Sequence, residues 1–367
     1  MRTVGVEEEL LLVSATTGEP LAVSSAVLAA AAAGGGEEAD GVFEKELQQE
    51  QVEFATRPLS DMRELRAEIV RWRAEAARHA KGAGARVAAL ATSPLPVEPS
   101  RNLGRRYRWM AEQFALTTQE QLTCGCHVHV AVESDEEGVA VLDRIRPWLP
   151  LLSAISGNSP FWDGQDSGYS SYRSRVWNRL PSAGPYEPFG SAENYHECVR
   201  DMLATGVLRD KGMIYFDARL SHNYPTVEIR VADVCLEPDT TVLVATLARG
   251  LVETAARAWR AGEPLARIPV GLLRLASWRA ARSGLQGPLL DPRTMNETPA
   301  EVALDALLEH TDAALGATGD RAGAHRAVAA LKERGGGARR QRDLRDNGCD
   351  LAEVVRECAR ITVGEDM

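Results

Sequence analysis

No stretch of this sequence approaches the about 18 consecutive apolar residues that a membrane-crossing helix requires. Nor does a basic start followed by an apolar core mark a secretory leader. A cytoplasmic protein with no membrane partner is therefore expected. Basic excess is lacking too: the formal charge is −10 over 367 residues, which argues against a general binder of nucleic acid or anionic lipid, since both need positive surfaces. Cysteine is sparse, six in all and unpatterned apart from Cys124 and Cys126. Free thiols in a reducing compartment fit this better than a disulfide framework. Neither a P-loop nor the Rossmann glycine fingerprint occurs, so a nucleotide site would have to be built another way. No internal repeat is evident. What remains is an ordinary globular composition, 44% hydrophobic and 26% charged, in a chain long enough for two domains on length alone.

The segment Thr226-Val227-Glu228-Ile229-Arg230-Val231-Ala232-Asp233 organises the reading. At the two-residue period of a strand, Val227, Ile229 and Val231 share an apolar face, while Glu228 and Arg230 point the other way. A surface ion pair would read the same and is worth only about 0 to 1 kcal/mol. Three further segments, however, repeat the plan of apolar back and chemically useful front. Residues 3–12 put Val4, Val6, Leu10 and Leu12 on one face and Glu7 and Glu9 on the other, with Glu8 on the apolar side. Residues 122–132 place Cys124, Cys126, Val128 and Val130 opposite Thr123, Gly125, His127 and His129. Residues 213–220 back Tyr215, Asp217 and Arg219 with Ile214, Phe216, Ala218 and Leu220, and run through His222-Asn223-Tyr224 into the first segment as an antiparallel hairpin.

Between these lie less regular pieces. Residues 43–56 read as a polar strand with Glu46 and Glu53, suited to the wall of a cleft. Residues 26–36 suggest a short helix running into a loose loop. Ser60 is a candidate cap for a helix with Met62, Leu65, Ile69 and Trp72 at helical spacing. The arginine-rich residues 101–108 suit either a solvated helix start or a region steering anions. Pro147 and Pro150 should break a helix over residues 139–156. Residues 157–177 form a long polar loop, often a functional feature. In it Arg173 and Arg175 are candidates for gripping substrate carboxylates, because a guanidinium binds them bidentately. From Asp239, a plausible cap, the chain turns mainly helical. Residues 335–342 read as a flexible basic loop, with two readings open: contact with nucleotide phosphates, or a plain linker.

Collected, the polar faces offer Glu7, Glu9, Glu46, Glu53, His127 and Glu228. Carboxylate-rich sets with few nitrogen ligands suit magnesium or manganese better than zinc. Divalent ions beside arginines are equipment for handling phosphates.

The motifs resemble the type 2 glutamate–cysteine ligases, and within them the bacterial carboxylate-amine ligases. The blocks that carry the resemblance occur in order: Gly5-Val6-Glu7-Glu8-Glu9-Leu10, Glu46-Leu47-Gln48-Gln49-Glu50-Gln51-Val52-Glu53, Gly125-Cys126-His127-Val128-His129-Val130, Ser159-Pro160-Phe161-Trp162, residues 168–173, and Pro225-Thr226-Val227-Glu228-Ile229-Arg230. Trp278-Arg279-Ala280-Ala281-Arg282 and Ala338-Arg339-Arg340-Gln341-Arg342 look like later blocks, whereas Tyr215-Phe216-Asp217 stands where relatives often carry paired tryptophans. The resemblance implies an α+β, glutamine synthetase-like catalytic fold, a curved antiparallel sheet forming a partial barrel with helices packed outside. One catalytic domain would span residues 1–367, with a mainly helical part from about 239. It implies ATP-dependent activation of the γ-carboxylate of glutamate as an acyl phosphate, then attack by an amine such as cysteine, with Mg2+ or Mn2+ as cofactor. Glu7, Glu9, Glu46, Glu53, His127 and Glu228 would bind metal, and Arg230, Glu53 and Glu228 would be catalytic. Arg173, Arg175, Tyr172 and Arg219 would bind substrate, and Arg340 and Gln341 the nucleotide. The partners would be small molecules, with a homodimer one option.

Two alternatives stand beside this. His127 and His129 could be the paired ligands of a zinc-dependent amidohydrolase completed by His196, His222 and Asp233. That fold needs alternating strands and helices, which the hairpin opposes. A catalytically silent ligase-like binding protein is the other, against which the retained carboxylates argue: without a cation they would face one another.

Overall fold

Alternation along the chain becomes one antiparallel sheet in the computed structural model, which describes residues 1–34 and 42–365. Its strands are β1 (Val4–Ser14), β2 (Phe43–Lys45), β3 (Gln51–Ala55), β4 (Ala85–Ala88), β5 (Gly125–Ala131), β6 (Ala218–Leu220) and β7 (Thr226–Asp233). They lie in the order β2-β3-β1-β5-β7-β6, with β4 pairing the far end of β1. Every pairing is antiparallel. The sheet is open, ending at β2 and β6, and is the mixed α and β architecture expected. The apolar faces are buried, from Val4, Val6, Leu10 and Leu12 to Val128, Val130, Val227 and Ile229, except that Val231, expected beside the last two, is only partly buried. Helices Pro238–Arg260 and Leu149–Ser156 pack against strands β5 and β7. Among the described residues no helix is long and apolar enough to cross a membrane.

Glu8 is the exception on the apolar face, and its burial is compensated. Arg73, on helix Met62–Gly82, donates from Nε and Nη2 to the two Glu8 oxygens at 2.8 Å each, and Thr241 Oγ1 donates to Oε1 at 2.6 Å. Removing one partner of such a pair would strand a buried charge at a cost of about 3–5 kcal/mol.

Several local expectations need correction. Residues 43–56 are not one strand but the hairpin β2–β3. The connection leaves the ladder because Gln49 N donates to Ser100 O and Asn102 N to Leu47 O, so Glu46 lies on a turn. The helix after Ser60 is capped by Asp61, which accepts from Arg63 N. The cap at the later helix is Glu237 and not Asp239, since Pro238 takes the first helical position. The strand expected from residue 213 contracts to Ala218–Leu220, preceded by the turn Lys211–Met213. Residues 335–342 are not a flexible loop: Gly335 (φ 81°) closes helix Arg321–Arg334 and a new helix, Gly337–Asp346, begins at once. That start requires glycine, because a Cβ on Gly337 would collide with Asn158 Oδ1. The break occurs at Pro147, between helices Asp135–Ile145 and Leu149–Ser156, whereas Pro150 sits in the first turn of the second helix, where proline is tolerated. The first helix is Ser24–Gly34; Gly35 and Gly36 of the expected loose loop lie outside the described residues.

Candidate active site

Strand register alone brings most of the predicted carboxylates together. Glu9 lies opposite Glu53, Glu7 opposite His127, His129 opposite Glu228, and Glu228 opposite Arg219. Directly opposed residues of antiparallel strands share a face, so the polar fronts of β3, β1, β5, β7 and β6 form one surface. A β-bulge refines it. Cys126 pairs with Ala232 but Val128 with Ile229, so Arg230 and Val231 together oppose His127. This brings Arg230 Nη1 to 3.5 Å from His127 Nδ1. The surface floors an open cavity of about 630 Å³ whose walls include Glu7, Glu9, Glu46, Glu53, His127, His129, Arg219, Glu228 and Arg230.

Within it charge is unevenly satisfied. Glu228 accepts from Arg219 Nε at 2.8 Å and Nη2 at 3.0 Å, and also from Arg230 Nη1. Burial works to raise its pKa, but Arg230 and Arg219 overcome this and hold it low. Glu7 Oε2 lies 3.2 Å from His127 Nδ1, and Oε1 lies 3.2 Å from His129 Nε2. Here too burial is outweighed by the histidines, and the Glu7 pKa is lowered. Glu9 and Glu53 go the other way. Burial, then the charge of Glu46, pushes Glu9 up to about 7, although Gly125 N donates to its Oε2 at 2.5 Å. Burial and the charges of Glu46, Glu7 and Glu9 raise Glu53 well above the carboxylate range. His127 is pushed down to about 4 by burial and by Arg230.

A divalent cation fits this donor set. The ligand atoms of Glu7, Glu53 and His127, of Glu7, His129 and Glu228, and of Glu9, Glu46 and Glu53 each lie within 4.8 Å of one another. His127 Nε2 is buried without a hydrogen-bond partner, and the third group is all carboxylate. Such oxygen-rich groups favour hard cations over zinc.

The other predicted residues divide. Arg173 is buried behind the cavity wall, its guanidinium over the Trp177 ring at 5.5 Å and its Nη2 in the space that a Cβ on Gly125 would need. Arg175 is half-buried and not among the cavity walls; Tyr172 is likewise outside them, packing its ring against Trp162 and Tyr169. Arg340 and Gln341 also lie outside the lining, with Gln341 Nε2 donating to Asn158 O and Oδ1 at 3.0 and 2.7 Å. The zinc constellation does not assemble. His196 pairs on the surface with Asp135 at 2.7 Å, and Asp233 is taken up by Asn158, Ser159 and Ser171, which leaves only His222 at the cavity. Sequence reasoning did not assign Trp177, Tyr107, Tyr215 or Asp210 to the site, and Arg106, within the arginine-rich segment, proves to be a cavity wall residue bound to Asp210 at 3.1 Å. His129, expected as a ligand only in the zinc alternative and outside the metal set that the resemblance implies, groups with Glu7 and Glu228.

Solved structures share this fold. A crystal structure of glutamate–cysteine ligase from Francisella tularensis in complex with AMP matches with a TM-score of 0.70, at 12% identity, over 99% of this chain and 88% of that one. A bifunctional glutathione synthetase from Pasteurella multocida matches with a TM-score of 0.68, at 15% identity, over 99% of this chain and 52% of that one. At those identities the likeness concerns the fold. In sequence, a Streptomyces avermitilis protein provisionally named glutamate–cysteine ligase 2-1 is 65% identical over 99% of this chain and all of its own length. A Streptomyces coelicolor protein provisionally named glutamate–cysteine ligase 2 is 62% identical over 99% of both. Residues 3–360 match the glutamate–cysteine ligase family 2 (GCS2), and the chain belongs to that family. It is thus an enzyme of the ATP-dependent class that forms C–N bonds.

Proposed function

We propose that this enzyme activates the γ-carboxylate of glutamate with ATP as an acyl phosphate and transfers the γ-glutamyl group to an amine, cysteine being the first acceptor to test. The observation that carries this reading is the convergence of Glu7, Glu9, Glu46, Glu53, His127 and Glu228 with Arg219 and Arg230 on one cavity. Phosphoryl transfer asks the protein for positioning and charge neutralisation. Glu7, Glu9, Glu46, Glu53, His127, His129 and Glu228 would hold Mg2+ or Mn2+, which when bound neutralises phosphate oxygens.

In the first step a γ-carboxylate oxygen of glutamate attacks the γ-phosphorus and ADP leaves. Arg230, steered by Glu228, faces the moving phosphoryl group. Arg219, fixed by the same carboxylate, and Arg173 are assigned to substrate carboxylates. In the second step the amine nitrogen attacks the acyl carbon, phosphate leaves, and the amine gives up a proton. Glu53, a carboxylate on the cavity wall, is assigned to receive it.

Purified protein should release ADP in a glutamate-dependent manner and yield a product with the mass of a γ-glutamyl amide. Chelation should abolish both, and magnesium or manganese restore them. Amide hydrolysis restored by zinc, without ADP release, would replace this reading.

A further inference from the structure

Behind the cavity wall, a buried hydrogen-bond network converges on Asp233, the last residue of β7 and completely inaccessible to solvent. Its Oδ2 accepts from Asn158 N at 2.9 Å and from Ser159 Oγ at 2.7 Å, and its Oδ1 from Ser171 Oγ at 2.8 Å. Both serines act again on the next element. Ser159 Oγ accepts from Arg173 N at 3.0 Å, and Ser171 is the N-cap of helix Tyr172–Trp177, accepting from Ser174 N. The backbone is stitched alongside: Ser159 N donates to Ser170 O, and Tyr172 N to Ser159 O, each at 3.0 Å.

A helix of one and a half turns has no stability of its own in water. Its start, and hence the direction in which its side chains leave, is set by what holds its first residues. Here that is one carboxylate acting through two hydroxyls, beside backbone bonds from Ser170 N and Ser171 N to Ala281 O at 2.8 and 3.0 Å. Asn158 is held in turn. Its Nδ2 donates to Ala89 O at 2.7 Å and Val234 O at 2.8 Å, and Gln341 donates to its carbonyl and side-chain oxygens. The block around Gln341 thus braces this junction from helix Gly337–Asp346.

Arg173 is the residue on that helix with freedom left to constrain. Its Nε is buried with no hydrogen-bond partner. On one side the guanidinium fills the space of the absent Gly125 side chain, so it has no room to move further that way. Its charge acts on Glu9, at the cavity. Its position is further set by the Trp177 ring beneath it, by the charge of Asp233 itself, and by the backbone from which it springs, which is anchored to Asp233.

We infer that Asp233 is a positioning residue: through Ser159 and Ser171 it fixes the start of the helix that carries Arg173, and so sets the guanidinium that receives a substrate carboxylate. The inference rests on the assignment of Arg173 proposed above. Gln341 belongs to the same brace, which gives it a role other than contact with nucleotide.

A double-mutant cycle on the full chain tests this, reading glutamate-dependent ADP release with MgATP and cysteine. Asp233→Asn should raise the KM for glutamate about tenfold, within the range of couplings between contacting networks, with the KM for ATP unchanged. In an Arg173→Gln background, where glutamate KM is already raised, Asp233→Asn should add less than about twofold, because its effect passes through the missing guanidinium. Ser171→Ala, a smaller change, should reproduce the pattern and keeps the test readable if Asp233→Asn folds poorly by thermal melt. Equal effects in both backgrounds, or parallel changes in the KM for both substrates and in kcat, would mean a merely structural role and overturn the inference. An Arg173→Gln enzyme with unchanged glutamate KM would instead overturn the assignment of Arg173 itself, and the inference with it.

Discussion

At the scale of single residues, Glu228 does the most with the least. One buried carboxylate engages Arg219 through both oxygens and also holds Arg230, so it aims two guanidiniums at the cavity. Arg230→Lys keeps a positive charge but loses the planar fork. Turnover should fall about 100-fold or more, as when a donor to a charge-developing transition state is removed, with the KM for ATP changed less. Glu228→Gln should weaken metal–nucleotide binding as well and frees both arginines. Steady-state kinetics on the two variants, with melts as folding controls, decide it: near-wild-type turnover in both would remove this strand from the active site. These residues were legible because the period of a strand allows only two faces. Arg175 was not. In a loop, Arg173 and Arg175 could both turn inward, but on a helix residues two apart point about 200° from each other, and helix Tyr172–Trp177 buries Arg173 behind the cavity wall while leaving Arg175 half-buried, neither of them in the lining. Arg106 and Trp177 reach the cavity through the docking of their helices, which no local pattern encodes.

At the scale of elements, the helices that cover the sheet carry a pH dependence of their own. Helix Ala300–Thr318 stacks His310 flat on Trp148, with centroids 4.0 Å apart and planes at 9°, at the cap of helix Leu149–Ser156. Burial, then the charge of Arg293, pushes the His310 pKa down to about 4. The unfolded chain binds this proton near pH about 6.5, and the folded chain only near 4. The stabilisation is therefore complete above the unfolded value and is lost as pH falls from there toward 4. His310→Phe keeps the stack without the titration, so the drop in melting temperature between about pH 7.5 and about pH 4.5 should be smaller in the variant. An equal drop in both would show that this stack does not contribute. The helix with Met62, Leu65, Ile69 and Trp72 at helical spacing was readable, whereas helix Ala300–Thr318 was covered only by a mainly helical part from about 239. The caps and short connections were not readable. Glu46 left its strand because residues 46–50 bond to residues 100–102, a partnership set by a segment some fifty positions away.

At the scale of the molecule, the part after residue 239 is fastened to the first strand. Thr241 donates to Glu8, whose partner Arg73 donates to Thr362 O at 3.5 Å, and Thr362 Oγ1 accepts from Ala89 N at 2.8 Å. We therefore expect one catalytic unit. Limited proteolysis should release no active fragment ending before Val231, and an independently folded, metal-binding piece of residues 1–150 would refute this. The central position of β1 also bears on how the chain is made. It leaves the ribosome before these partners: Glu7 meets His127 across 120 residues of sequence and Glu8 meets Thr241 across 233. At about 5–20 residues per second, the strand waits roughly 6 to 24 seconds for β5 alone. During that interval an apolar strand with open edges would invite pairing with its neighbours on other nascent chains, and consecutive negative charges discourage such pairing. Glu7, Glu8 and Glu9 thus have a task before there is any active site to serve: they keep the future centre of the sheet solvated until its partners exist.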